Sequence, residues 1–285
     1  MDSIPDPRQA SDPTPDPPQP SNRNLGAALP RLPEAHDPAP WGLHGAFLVT
    51  FMSLGAQVLL AAALGLFARW VILTLEPNIG SHPEEVEQMV IQATIVPLVL
   101  LYALVTVGLI YVSISLIHRR PFLESLGLRP APLSRVGRYA LMGCVMASVS
   151  LAGTFLFPPE HPEEVGGALR RLAESGPLGH TLWLGMAILV APTVEELLFR
   201  GYAYLGARRR LGALWAGVCV TVVFVSLHMA ETGLYLPALL GIAATATVLV
   251  IVMERTGNLI FCIACHLGYN GTLATLTFIA IDAPR

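Results

Sequence analysis

Residues 89–117 read MVIQATIVPLVLLYALVTVGLIYVSISLI, and no Asp, Glu, Lys or Arg interrupts them. A helix needs about 20 apolar residues to cross the hydrocarbon core of a bilayer, so this stretch is long enough to span a membrane. Further apolar blocks, separated by short polar breaks, fill the chain from Trp41 onward. Together they predict seven spans, at approximately 43–68, 89–117, 136–157, 179–201, 211–230, 234–253 and 256–280.

The composition agrees with a protein that contacts the lipid bilayer. The 285 residues are 53% hydrophobic and 13% charged, whereas soluble domains carry about a quarter charged residues. The net charge is −3 and no basic patch is present, which excludes a nucleic-acid binder. We therefore predict an all-α, polytopic transmembrane helix bundle of about seven spans; the sequence carries no signal for its oligomeric state.

The chain divides into three regions. Residues 1–40 hold 11 of the 24 prolines and few large apolar residues, and this composition predicts a disordered Pro-rich tail. Residues 41–157 contain the first three predicted spans. Residues 178–280 contain the last four.

Arginine-rich breaks alternate with acidic breaks along the chain, and all 17 basic residues are Arg. By the positive-inside rule, this pattern predicts a multi-pass inner-membrane protein. The N-terminus and the breaks at 118–138 and 206–212 are predicted to lie in the cytoplasm. The acidic breaks contain a short repeat, His-Pro-Glu-Glu-Val, at His82 and at His161. Pro followed by glutamates is typical of a helix start, and a pair of metal-binding motifs is the alternative interpretation. Residues 163–175 are predicted to form an interfacial helix.

The four cysteines lie inside apolar runs, and the last two, Cys262 and Cys265, form a Cys-x-x-Cys motif. Such a motif binds zinc or performs redox chemistry in some proteins. Here no second pair accompanies it, so we predict small packing residues in a buried helix.

Three of the spans carry polar residues that are costly inside a membrane and usually functional. The first segment is Glu195-Glu196-Leu-Leu-Phe-Arg200, in which Glu196 and Arg200 have the spacing of an intrahelical ion pair. Glu195 points about 100° away from Glu196, so it remains free to act as a general base. The other segments, Phe224-Val-Ser-Leu-His228 and His266-Leu-Gly-Tyr-Asn270, each place two of these residues on one helix face.

Helix geometry tests whether these groups meet at one depth. At 1.5 Å per residue, Glu195 and His228 both lie roughly 22–26 Å from the turn at residues 208–211. His266 lies roughly 15 Å into its helix from the turn at 255–257. The 7–10 Å difference requires helix tilt or a longer extramembrane stretch of the fourth span, so the spacing permits a common site without fixing it.

These groups would suit the activation of a water molecule for hydrolysis. The Glu195 carboxylate would take the proton, and the two imidazoles and the Asn270 amide would offer donors to a developing oxyanion. Glu195, His228 and His266 would also suit a zinc site of two His and one Glu, although the His-Glu-x-x-His motif is absent. A substrate or proton path in a transporter uses similar residues, and isolated histidines in bundles are often packing residues.

These three segments resemble the CPBP family of intramembrane proteases, which includes the type II CAAX prenyl proteases and the bacterial Abi (bacteriocin-processing and self-immunity) proteins. The family pattern is Glu-Glu-x-x-x-Arg, then Phe-x-x-x-His, then His-x-x-x-Asn, and all three motifs occur here in order. The resemblance covers about 178–280, and residues 118–130 also look like the loop that precedes the domain in such proteins.

The resemblance implies a role for each matching residue. Glu195 would activate the attacking water, His228 would help to hold it, and His266 and Asn270 would stabilise the oxyanion. Glu196 and Arg200 would position the site, and Phe224 would pack beneath His228. Asn270 is a poor zinc ligand, so we expect a reaction without a metal or other cofactor, with Zn²⁺ as the alternative.

The function predicted from these observations is an intramembrane endopeptidase that cleaves membrane-associated peptides or proteins. The all-Arg usage is typical of GC-rich bacterial genomes, where prenylated substrates are not expected. The alternatives are a non-catalytic scaffold or self-immunity protein and a small-solute transporter. The filled motif positions argue against the first, and the lack of an internal duplication argues against the second.

Overall fold

The computed structural model describes residues 39–160 and 177–282. Every regular element in this part of the chain is helical, as predicted. The predicted tail, apart from its last two residues, lies outside the described residues. So do the second His-Pro-Glu-Glu-Val sequence at His161 and the predicted interfacial helix at 163–175.

The N-terminal half of the described chain contains four α-helices. A 3₁₀ turn, Pro77–Ser81, joins the first two, and a π-helical turn, Val112–Ile117, extends the second. Pro83 occupies the first turn of α2, together with Glu84 and Glu85, so the first His-Pro-Glu-Glu-Val sequence is a helix start, as predicted. The helices are α1 (Gly42–Leu75), α2 (Pro83–Tyr111), α3 (Phe122–Ser125) and α4 (Leu133–Leu156).

The C-terminal half carries the polar motifs and is less regular. Two π-helical turns, Gly185–Val190 and Leu197–Tyr204, interrupt the helix that leads to the next turn of the chain. The α-helices are α5 (Pro177–Leu184), α6 (Ala191–Glu196), α7 (Leu205–Thr232), α8 (Leu236–Thr256) and α9 (Leu259–Asp282).

Six stretches of the described chain are long and apolar enough to cross a membrane, and the fourth, Gly185–Met229, is 45 residues long. Gly212 breaks this stretch, because its φ of 75° and ψ of 170° are not helical; the positive φ favours glycine. The rings of Phe199 and Phe224, on either side of the break, lie 5.2 Å apart. The stretch is therefore a hairpin of two helices, and the six stretches contain the seven predicted passes.

Small residues allow α9 to pack closely against α4. A methyl group at Gly143 of α4 would overlap the Cys265 carbonyl, and one at Gly268 would overlap the Ala140 carbonyl. This is the usual way in which membrane helices approach each other. Cys262 and Cys265 are buried and unpaired in this region, which agrees with the prediction of packing residues.

The loop between α2 and α4 fixes the start of α9. The Leu259 amide donates to the Gly127 carbonyl at 2.9 Å, and the Asn258 side chain donates to the Arg129 carbonyl at 3.0 Å. The loop that resembled a family feature is therefore docked against the turn between α8 and α9. The helix that carries His266 is held both by this loop and by α4.

An ion pair braces the Gly212 hairpin against α8. Arg208 donates twice to the Glu254 carboxylate, with both distances at 2.6 Å. This ion pair links the end of the hairpin near Gly212 to the last turn of α8, which ends at Thr256.

Candidate active site

The Glu-Glu-x-x-x-Arg motif lies on a single turn of α-helix between two π-helical turns. Residues 191–196 form α6, and the π-helical turns precede and follow it. Such wide turns are rare and occur frequently at functional sites. They place Glu195 and Glu196 at the centre of the bundle, where Glu196 is fully buried and Glu195 is partly accessible.

Glu196 and Arg200 form the predicted ion pair. The Arg200 guanidinium donates to Glu196 Oε1 at 2.8 Å, and both side chains are fully buried. Arg200 also donates to the Ala246 carbonyl of α8 at 3.2 Å, and its guanidinium lies over the Phe224 ring, 4.6 Å from the centroid. Arg200 therefore joins three helices of the site.

His266 contacts both glutamates, although the helix spacing alone left its depth open. Its Nδ1 lies 2.8 Å from Glu196 Oε1, and its Nε2 lies 3.8 Å from Glu195 Oε2. Because a carboxylate only accepts, the Nδ1–H donates to Glu196.

Phe224 is the centre of the aromatic contacts. Its ring lies 4.6 Å from the His228 ring and 6.0 Å from the His266 ring, centroid to centroid. His228 Nδ1 donates to the Phe224 carbonyl at 2.8 Å. In the neutral imidazole this leaves Nε2 as an acceptor, and the ring is only partly buried.

Asn270 lies one turn beyond His266 on α9, and its amide donates to the Ala187 carbonyl at 2.9 Å. Ala187 belongs to the π-helical turn that precedes α6. The structure therefore brings Glu195, Glu196, Arg200, Phe224 and His266 into one contact network. His228 joins it through Phe224. Asn270 binds the neighbouring backbone, and its second amide hydrogen has no partner among the described residues.

Residues 177–272 match the family described as type II CAAX prenyl endopeptidase, Rce1-like. This part of the chain is similar to that family. Neither the curated proteins nor the solved structures include a match to the chain.

The Rce1-like region contains all three polar motifs and begins at the first residue of α5. Helices α1 to α4 precede the matched residues, although α4 and the loop before it hold α9 in place. At the level of the family, the match supports an intramembrane endopeptidase.

Some of the potential ligand atoms in the Rce1-like region are already bound within the protein. Glu196 Oε1 binds Arg200 and His266, and His228 Nδ1 binds a backbone carbonyl. Among residues 39–160 and 177–282, no three His, Cys, Asp or Glu side chains form a group that could hold a metal. The alternative ligand set of Glu195, His228 and His266 would use the Glu195 carboxylate and the Nε2 atoms of the two histidines, whose Nδ1 atoms are held by hydrogen bonds.

Two groups within electrostatic range of Glu195 were not apparent as site residues from the sequence. Tyr102 of α2 is one of them, and nothing distinguished this residue within a long apolar span. Glu231 lies in the last turn of α7, within range of both His228 and Glu195. Its i, i+3 spacing from His228 was a usable signal, although Glu231 lies just beyond the predicted span at 211–230.

The pKa of Glu231 is raised above its ordinary value. The main cause is desolvation, because surrounding protein atoms replace much of the hydration even though part of the side chain is exposed. His228 opposes this shift and Glu195 adds to it.

Proposed function

We propose that the protein is an intramembrane endopeptidase in which Glu195 activates the attacking water. The observation that carries the proposal is the different surroundings of the two adjacent glutamates. Arg200 and His266 both bind Glu196 at 2.8 Å. Glu195 has no Arg partner in the described chain, and its side chain is 23% exposed, so it is the carboxylate that water can reach.

The proposed reaction is a general-base hydrolysis. Glu195 takes a proton from water, the water oxygen forms a bond to the peptide carbonyl carbon, and the carbonyl oxygen becomes negative. Glu195 then delivers the proton to the amide nitrogen as the carbon–nitrogen bond breaks. The products are a carboxylate and an amine, and no other reactant is needed.

The remaining polar groups are proposed to bind the attacking water or to stabilise the oxyanion. His228 Nε2, as an acceptor, is suited to hold the water, since its Nδ1 is already bound to the Phe224 carbonyl. His266, when protonated, donates from both nitrogens, and its Nε2 side faces Glu195. Asn270 would supply its second amide hydrogen to the oxyanion, while Glu196 and Arg200 hold His266 in place.

We propose that this chemistry uses no metal. The proposal rests on Asn270, which is a poor zinc ligand, and on the described residues, among which no three His, Cys, Asp or Glu side chains form a group that could hold a metal. Purified protein is expected to retain activity after prolonged treatment with a strong zinc chelator. Loss of activity on chelation, with recovery on adding Zn²⁺, would establish the metal alternative.

We further propose an inner-membrane location with a cytoplasmic N-terminus and a membrane-associated peptide or protein as substrate. The turns at Gly212 and Gly257 lie beside Arg208, Arg209, Arg210 and Arg255, while the turn between α7 and α8 lies beside a glutamate, Glu231. The positive-inside rule assigns the arginine-rich end to the cytoplasm.

A membrane proteome comparison tests the proposed activity. New protein N-termini are measured in membranes of cells that carry wild type, Glu195→Ala or Glu76→Ala. Glu76 follows α1 and lies outside the polar network, so the last variant is a matched control. We expect N-termini that disappear with Glu195→Ala and persist with Glu76→Ala. If both variants leave the wild-type pattern of N-termini and any cellular phenotype unchanged, a scaffold or transporter is the better interpretation.

A further inference from the structure

Glu231 lies next to the proposed catalytic groups but has no role in the reaction described above. It is three residues after His228 on α7, so both side chains lie on the same face of the helix, about 4.5 Å apart along its axis. It also lies within electrostatic range of Glu195. Glu231 is therefore at the end of the site that faces the turn between α7 and α8.

Three features of the position of Glu231 disfavour its ionised form. It lies in the last turn of α7, which ends at Thr232, and the helix dipole disfavours an anion there. Surrounding protein atoms remove part of its hydration, and Glu195 repels it. Only His228 favours the ionised form.

Glu231 also has no partner that would compensate for these costs. Within residues 39–160 and 177–282 it forms no hydrogen bond and no ion pair, and its side chain is exposed. A charged residue that breaks local rules without a compensating contact is expected at a functional position. An exposed carboxylate beside a reaction centre is suited to bind a cation that arrives with the substrate.

We propose that Glu231 is a specificity-determining residue that binds a basic side chain of the substrate, next to the scissile bond. This inference rests on the proposed function. An extended peptide advances about 3.3 Å per residue, so the offset of Glu231 from His228 corresponds to one or two residues. The protein would therefore prefer bonds with Lys or Arg within two residues on one side.

The same N-terminal proteomics, applied to Glu231→Gln and Glu231→Lys, tests the inference in the full-length protein. Cleavage sites are defined as N-termini that wild type produces and Glu195→Ala does not. We expect these sites to be enriched in Lys or Arg within two residues of the cut. Glu231→Gln should lower their abundance about fivefold relative to sites without a basic residue, the size expected for an accessible ion pair, and Glu231→Lys should lower it further.

Two control variants separate charge from structure. Glu76→Gln changes an acid to an amide at the end of α1, outside the polar network, and is expected to keep the wild-type site preference. Glu231→Asp keeps the charge and should preserve the preference even if Glu231→Gln lowers the amount of folded protein. Membrane protein levels are measured for each variant by immunoblotting.

The possible outcomes distinguish a failure of the specificity inference from a failure of the proposed function. If no N-termini depend on Glu195, the proposed function is wrong and the specificity inference fails with it. If Glu195-dependent sites exist without basic enrichment, or Glu231→Gln lowers all sites equally, only the specificity inference is overturned. The second result would assign Glu231 to positioning His228.

Discussion

The Arg208–Glu254 and Arg200–Glu196 ion pairs differ in how completely their atoms are bonded. At the end of the bundle, Glu254 uses both oxygens, accepting two bonds from Arg208 and one from Tyr204, each at 2.6 Å. In the site, Glu196 accepts from Arg200 and His266 through Oε1 alone. Glu196 Oε2 and Arg200 Nε are buried without a hydrogen-bond partner among the described residues.

Native proteins rarely leave buried polar atoms unpaired, and exceptions are common at functional sites. The pair of Arg208 and Glu254 has no such exception, and its arginine is 29% exposed. Its geometry is that of a brace between α7 and α8. The pair of Glu196 and Arg200 is completely buried and bound to an imidazole that also faces Glu195. We therefore expect the fully bonded Arg208–Glu254 pair to act in stability alone, and the incompletely bonded Arg200–Glu196 pair to support the proposed chemistry as well.

Replacing Arg200 by Ala is expected to have the largest effect on stability. It leaves the Glu196 carboxylate buried without its cation, which typically costs about 3–5 kcal/mol. Thermal unfolding of the detergent-solubilised protein measures this loss. The Glu195-dependent cleavage should disappear as well, because Glu196 would no longer hold His266 in the same position.

A double variant separates the two consequences of losing Arg200. Glu196→Leu combined with Arg200→Met removes both charges while keeping similar volumes, which usually recovers stability. We expect unfolding near the wild-type temperature but no recovery of cleavage, since His266 then lacks its acceptor. Recovery of both would show that this pair is a brace like the other one.

Replacing Glu254 by Gln should have a smaller effect. Arg208 is partly exposed and can regain water contacts, so we expect a loss of about 1–3 kcal/mol, typical for hydrogen bonds that involve a charge. Arg208 lies eight residues beyond Arg200, about 12 Å along the chain, and cleavage should persist in the folded variant. Complete loss of cleavage at full stability would contradict the assignment of this pair to structure.

Local spacing in the sequence predicted the pairing of Glu196 with Arg200, and the apolar blocks predicted seven passes. The pairing of Arg208 with Glu254 was not predictable in this way, because 46 residues separate them and the three adjacent arginines indicated only membrane orientation. The approach of His266 to both glutamates depends on the close packing of α4 with α9, which involves long-range contacts.

Glu231 has no hydrogen-bond or ion-pair partner among the described residues, and its substitution is expected to have the smallest effect. Its raised pKa, caused mainly by desolvation and also by Glu195 against the opposing effect of His228, means that the folded state binds the proton more tightly than the unfolded chain. Stability from this group is therefore complete below its ordinary pKa of 4.5 and is lost as the pH rises through the raised value. Glu231→Gln removes this dependence, so its unfolding temperature should match that of wild type at low pH and exceed it increasingly toward neutral pH. If the difference between the two unfolding temperatures stays constant with pH, ionisation of Glu231 carries no penalty in the folded protein. An uncompensated charge would then no longer support a substrate cation as its partner.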